Sequence, residues 1–464
     1  MIKYSLAFTI LFSITSLLGQ ETLNNQKIDG YKGIWFTLGQ FSTKYGDKYS
    51  GGLGTYTAKH RPLAIYAPEV DKTFFVYGGT TEADEKHLLC MISYYDHKTG
   101  KLPKPTVVFD KSGVDDPHDN PSLLIDKDGF LWVFVSGRGR TRPGYKYKSI
   151  LPYNVTSFVK ITEEEMTYPQ PLYIKNKGFF NFFTKYTGVR ELYFETSKDG
   201  KSWTSDVKLA GIVEKGATKS GHYQVSGQHE KVVSTFFSRH PDGNVDRRTD
   251  LYYVQSTDFG ATWTTTTGEI ISPPLTTVNS KARVFDYTSL RKNVYLKDMN
   301  FDRNGNPVCL YLTSNGHRPG PEDGPRDWKI TRFDGNHWQT KTLFQSDHNY
   351  DMGSLYIDGA RWMIIAPSNP GPQEHHTGGE IVVWESLDDG NSWKIKHQLT
   401  KDSEANHNYT RRPRNAKDPF LVFWADGDSG AFSKSRLYFA DSLGTVYRLP
   451  YVMTADQAIP TKLE

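Results

Sequence analysis

Four short boxes repeat along this chain, and no other feature limits its fold as tightly. Ser197-Lys198-Asp199-Gly200-Lys201-Ser202-Trp203, Ser256-Thr257-Asp258-Phe259-Gly260-Ala261-Thr262-Trp263 and Ser386-Leu387-Asp388-Asp389-Gly390-Asn391-Ser392-Trp393 share the pattern S-x-D-(x)-G-x-(S/T)-W. Asp334-Gly335-Asn336-His337-Trp338 is a degenerate copy. Each box follows a strand-like run and ends on Trp, as expected of a hairpin turn whose Asp caps backbone amides while the indole packs beneath it. The tryptophans lie about 55 to 75 residues apart, which suits four-stranded blades with insertions. Strand-like runs at 63–66, 73–77, 192–195, 232–237, 251–255, 308–312, 362–365, 381–384 and 420–424 fill the intervals, and no long stretch has helical periodicity. The period predicts an all-β fold, a single seven-bladed propeller domain over 20–464. The boxes themselves are structural.

Chemistry points elsewhere, to Asp115-Asp116-Pro117-His118-Asp119-Asn120-Pro121-Ser122. The apolar runs 123–125 and 130–135 read as two strands joined by the tight turn Asp126-Lys127-Asp128-Gly129. His118 precedes the first strand, and Ser136-Gly137-Arg138-Gly139-Arg140 follows the second. In an antiparallel pair those two ends meet, so an imidazole and a guanidinium are expected at one rim of a sheet. The bland alternative is a histidine that caps a turn among Asp and Asn.

Composition narrows the class. Aromatic residues make up 14% of the chain, and 40 Gly and 24 Pro supply turns, a β-rich profile. Met1-Ile2-Lys3 followed by an apolar run over 6–18 and Gly19-Gln20 reads as a secretory signal peptide, 1–19, and too short for a membrane span. An exported, periplasmic or secreted bacterial protein is expected, monomeric and without a membrane partner. The formal charge of +4 is too mild for a nucleic-acid protein, while local basic clusters suit a small anionic ligand. Cys90 and Cys309, each inside an apolar run, are expected as buried free thiols. His375-His376 beside Glu374, with His348 and His407 elsewhere, lacks tight ligand spacing, so no metal and no cofactor are expected.

The boxes resemble the Asp-boxes of BNR-repeat, sialidase-like propellers. Lys72-Thr73-Phe74-Phe75-Val76-Tyr77-Gly78-Gly79, the His118 hairpin and Tyr168-Pro169-Gln170 are similar to the BNR-4 type, which includes ulvan lyases, oligosaccharide dehydratases and rhamnosyl-glucuronate lyases and rhamnosidases. His348-Asn349-Tyr350-Asp351, Gly378-Gly379-Glu380, the segment from Asn406 to Pro413 and Trp424-Ala425-Asp426-Gly427 continue the resemblance. In the propeller ulvan lyases a His in a D-D-H-x-x-P hairpin, a second His, a Tyr and a downstream Arg surround the uronate. The resemblance implies His118 for the first, Arg138 in place of the second, Tyr168 for the Tyr, and Lys185 where the Arg is expected.

The residues fit that chemistry in their own right. Eliminating a group from C4 of a uronic acid requires a base for the C5 proton, a cation on the carboxylate and an acid for the departing oxygen. His118, Tyr168 and Tyr223 are the catalytic candidates; Arg138, Arg140 and Lys185, with His60, Arg411 and Arg412, are the substrate-binding candidates. Arg142, Lys146 and Lys148 continue the basic stretch, either as a solvated loop or as the lining of an anionic pocket, and Asp426 with Asp428 is a possible carboxylate pair for hydrolysis. The expected function is a carbon–oxygen lyase on uronic-acid-containing, ulvan-like oligosaccharides, acting as a dehydratase or exo-lyase and giving a 4,5-unsaturated uronate. The rivals are a rhamnosidase-type glycoside hydrolase, with His60 as its marker, and a non-catalytic carbohydrate-binding propeller.

Overall fold

A computed structural model describes residues 22–39, 42–53, 60–82, 85 and 87–463; the expected signal peptide, 1–19, lies outside the described residues. Antiparallel sheets follow one another along the chain, and helix among the described residues is limited to four short 3-10 turns. No helix among them is long and apolar enough to cross a membrane.

Six blades are regular. The first comprises Pro121–Ile125, Leu131–Val135, Gly144–Ser149 and Phe158–Glu164, and the second Thr167–Ile174, Gly178–Lys185, Glu191–Ser197 and Val207–Ala210. The third is built on His222–His229, Val232–Arg239 and Thr249–Ser256, the fourth on Asn293–Phe301, Pro307–Ser314, Arg326–Phe333 and Trp338–Ser346. The fifth holds Ser354–Asp358, Arg361–Asn369, Glu380–Ser386 and Lys394–Gln398; the sixth Asn406–Arg411, Val422–Gly427, Leu437–Ala440 and Val446–Arg448.

The expected seven regular blades are thus corrected to six. What precedes them is a composite seven-stranded sheet in which Ala64–Ala67, Lys72–Gly79, Leu89–Asp96 and Thr106–Asp110 are fused with Gly33–Thr37, Ser50–Gly51 and Ser433–Ser435. Gly33 pairs with Ser435 and Trp35 with Ser433, so strands from both ends of the chain share this sheet and close the ring. Closure removes the open edges that would otherwise invite pairing with another chain. Box spacing counts repeats but carries no information about a strand borrowed from the far end of the chain.

The boxes behave as their sequence implies. Asp199 accepts from the amides of Lys201 and Ser202, and Asp388 from those of Asn391 and Ser392. Trp203 donates to Gly200 O at 2.7 Å and Trp393 to Gly390 O at 3.1 Å. Every box joins the third strand of a blade to its outer edge. Trp203 lies edge-on to Phe134 of the preceding blade, 6.0 Å between ring centroids, so a turn residue also cements neighbouring blades. Trp132, Phe134, Phe179 and Phe183 fill that seam. Cys90 and Cys309 are buried free thiols.

The innermost strands of successive blades all run from one end of the central channel to the other. The end where they begin is called upper here, the other lower. His118, Tyr168 and Tyr223 stand where their innermost strands begin, so topology alone gathers them at the upper end.

Candidate active site

The hairpin predicted from sequence forms as expected, with Pro121 opposite Val135 and Ile125 opposite Leu131. Asp126 accepts from the amides of Asp128 and Phe130 and from Trp132 Nε1, and Gly129 takes a φ of +82° that a side chain would resist. This turn holds the lower end tight; the upper end carries the chemistry.

There a short 3-10 turn over Pro117–Asp119 is capped by Asp116, whose Oδ1 accepts from the His118 amide at 3.0 Å. The same oxygen lies 2.5 Å from His118 Nδ1. Asp116 Oδ2 is 2.6 Å from both Arg138 Nη1 and Arg142 Nη2. With this many donors the carboxylate stays ionised, its pKa driven far down against the cost of burial by His118 and then the two arginines. An ionised Asp116 requires the proton on His118 Nδ1 and leaves Nε2 as the basic nitrogen. Burial, only partly offset by Asp116, pushes the His118 pKa down to about 4, with Arg138 and Arg190 adding to the fall. Below it Asp119 pairs with Lys111 at 2.6 Å and with Arg142 at 2.8 Å, which fixes the turn.

Tyr168 stacks against this imidazole. Its ring centroid is 5.6 Å from His118, 5.3 Å from His60 and 5.9 Å from Tyr223. It adopts a φ of +54°, a left-handed conformation unfavourable for a bulky residue, beside a break in the ladder between Thr167 and Gln170. Ser136 Oγ accepts from its amide at 3.0 Å and holds the bend. Tyr223 is 2% exposed, and its Oη has no hydrogen-bond partner among the described residues. Its ring lies 4.7 Å from His240, 5.6 Å from the Arg190 guanidinium and 4.9 Å from that of Arg248. Arg248 is in turn enclosed by Tyr295 and Tyr350, donating to Tyr350 Oη at 2.9 Å.

The remaining sequence candidates disperse. His60 is buried, and its Nε2 donates to the His118 carbonyl at 2.8 Å; burial lowers its pKa to about 3, and it acts as a brace under the catalytic candidate. Arg140 is 87% exposed and 3.6 Å from Glu165. Lys185 ends its strand 2.7 Å from Asp206, away from the imidazole. Lys146, on a strand, is buried between Glu164 and Glu195. Glu164, Glu195 and Asp206 stand close enough together to hold an ion, but Lys146 already pairs with both glutamates and Lys185 with Asp206. Asp426 accepts from Arg436 and Tyr438 and Asp428 from Gln373, so this pair serves packing. Arg411 and Arg412 close the innermost strand of the sixth blade, toward the lower part of the channel.

Arg190, His240, Arg248 and Tyr350 were missed by sequence reasoning. The signal was available for two of them. The rule that put Arg138 beside His118 also puts His240, just past the strand Val232–Arg239, beside Tyr223, and Arg190, just before Glu191–Ser197, at the same end. A small cavity of about 10 Å³, room for roughly one water, lies between Tyr223, Arg248, Lys297 and Tyr350.

The comparisons with known proteins agree with this architecture. An ulvan lyase of Nonlabens ulvanivorans is 22% identical over 389 residues, covering 74% of this chain and 78% of its own. A second ulvan lyase, from Pseudoalteromonas sp. (strain PLSV), is 20% identical over 72% of this chain and 73% of its own. The solved structure of a family-25 polysaccharide lyase, an ulvan lyase bound to -[GlcA(1-4)Rha3S]-, superimposes with a TM-score of 0.68 at 16% identity, covering 82% of this chain and 92% of that one. Residues 84–346, more than half of the sequence, match the BNR repeat-containing family, and the chain belongs to it.

Proposed function

We propose that this protein is a carbon–oxygen lyase that cleaves or dehydrates uronate-containing, ulvan-like oligosaccharides by β-elimination. The observation that carries this reading is the upper cluster itself: a histidine held neutral with one nitrogen fixed by a carboxylate, Tyr168 packed against it, Tyr223 against the other side of Tyr168, and guanidiniums beside Tyr223. The likeness to ulvan lyases in sequence and fold supports the substrate class. The apolar leader fits an exported enzyme.

His118 Nε2 takes the C5 proton, and the C–H electrons form the C4=C5 double bond while the C4–O bond breaks. Tyr223 Oη, with no competing partner among the described residues, protonates the departing oxygen; Tyr168 holds the imidazole and the sugar between rings. Arg190 and Arg248 neutralise the uronate carboxylate as negative charge builds on it, strongly because the site is buried. His118, Tyr168 and Tyr223 are almost fully buried, so a saccharide reaches them only as neighbouring side chains turn aside. A sugar leaving from C4 makes the enzyme a lyase; water leaving from an unsubstituted terminal uronate makes it a dehydratase.

The test is ultraviolet absorbance of the purified protein with sulfated rhamnose–glucuronate oligosaccharides, followed by mass spectrometry. A rise from the conjugated double bond is expected, lost in His118→Ala by about 100- to 10,000-fold. A product lighter by one water identifies a dehydratase, a shortened chain a lyase. Release of a monosaccharide with no absorbance change would replace elimination with hydrolysis.

A further inference from the structure

The lower end of the channel holds a cavity of about 400 Å³, in the size range of small-molecule pockets. That it opens at the lower end follows from its walls: Tyr173, Gln228 and Phe301 lie near the ends of the innermost strands that begin with Thr167, His222 and Asn293. His60 and Arg61 are consecutive, yet His60 faces the His118 cluster while Arg61 crosses to this cavity. The two sites therefore lie back to back.

Arg61, Arg411, Arg412 and Arg414 line it, against Asp298 inside and the exposed Glu230 at its edge, an excess of 4 − 2 = +2. Asp298 is already committed. Its oxygens lie 2.8 Å from Arg61 Nη1 and 3.7 Å from Arg412 Nε, and they accept from the amides of Met299 and Leu355 at 2.8 Å each. Arg414 has no carboxylate partner among the described residues. Burial pushes its pKa down to about 10, and the nearby guanidiniums of Arg61 and Arg412 add to the fall. Guanidiniums that converge from separate chain segments offer forked donors in several directions, which suits an anion with three or four acceptor oxygens better than a planar carboxylate.

We propose that this arginine-lined lower mouth is a second binding site, for a sulfate-type oxoanion, and that a sulfated monosaccharide unit is the ligand class it fits. The cavity is much larger than a bare sulfate and leaves room for a sugar ring. The inference does not rest on elimination at the upper end.

Isothermal titration of the intact protein with L-rhamnose 3-sulfate, sodium sulfate and plain rhamnose tests it. The sugar sulfate is expected to bind at least tenfold more tightly than inorganic sulfate, plain rhamnose not at all, and Arg414→Ala to weaken both sulfates at least tenfold. To separate loss of binding from loss of folding, Arg414→Gln is melted with and without sulfate: an unchanged baseline Tm with the sulfate-induced rise abolished supports the site. His118→Ala is expected to bind as the wild type does. Loss of binding in His118→Ala would put the anion at the upper end and overturn the proposal, as would no sulfate binding by the wild type or unchanged binding in Arg414→Ala. Equal affinities for the sugar sulfate and free sulfate would overturn the sugar assignment.

Discussion

At the upper end of the channel Asp116 accepts from His118, Arg138 and Arg142 at once, and its histidine is left neutral; at the lower end Asp298 is shared by Arg61 and Arg412 while Arg414 has no carboxylate partner among the described residues. Around Asp116 the charges are paired and Nε2 is left as the basic nitrogen of His118, while Arg248 nearby is held among tyrosines. The lower arrangement leaves positive charge uncompensated, which is costly without a ligand and favourable with one. Proton transfer and anion retention thus call for opposite treatments of buried charge, and one propeller accommodates both because the ends of its channel are built from different loops.

The sharpest way to break this contrast is to remove the carboxylate at the upper end. Asp116→Asn is expected to lower kcat by about 1,000-fold or more at neutral pH, since the imidazole loses the charge that orients it, as carboxylate loss does in other histidine-based sites. Steady-state absorbance kinetics measure the loss. Folding should suffer less, about 1–3 kcal/mol in a denaturant titration, because Arg138 and Arg142 are partly exposed and can rehydrate. A variant of near-normal kcat would mean His118 needs no such partner.

Next in size is Arg190→Ala, which should cost about 100- to 1,000-fold in kcat/KM through lost stabilisation of the uronate charge. Sulfate binding at the lower end should not change. Parallel kinetics and titration on the one variant separate the two ends directly.

A pH series sharpens the comparison further. His118 falls from 6.5 to about 4 on folding, and His222 likewise to about 4. The unfolded chain therefore binds more protons than the folded one between these values, so the neutral histidines contribute stability that is complete above about pH 6.5 and is lost as pH falls toward 4. Tm should drop across that window, and the acid limb of kcat/KM should centre nearer 4 than 6.5. An acid limb at 6.5 would mean that the working base is not the buried imidazole. The smallest effects belong to Lys185→Ala and Arg140→Ala. Each is expected to change kcat/KM by about twofold or less, and stability by no more than about 1 kcal/mol, since their ion pairs lie near the surface.

Local pattern made the hairpin and the boxes readable before any coordinates, because turn chemistry and strand alternation act over a few residues. His118, Tyr168 and Tyr223 were named as candidates from their residue chemistry and a family resemblance, and each stands where an innermost strand begins. Lys185 shows the limit. The resemblance put it where an Arg is expected, but its partner Asp206 is on the same blade and holds the side chain, whereas Arg190, five residues on, reaches Tyr223 across a blade boundary. The regular blade count failed similarly, since Ser433–Ser435 joins a sheet that begins four hundred residues earlier in the chain.

Tyr168 has a consequence for anyone who would improve this protein. Its backbone stands at a φ of +54°, and a survey for stabilising changes would single it out for replacement by Gly or Asn, which tolerate that conformation. The same replacement would delete the ring that touches His60, His118 and Tyr223 together. Selection for heat resistance alone would therefore tend to erase the proposed active centre, and any hardened variant needs screening for turnover at this position first.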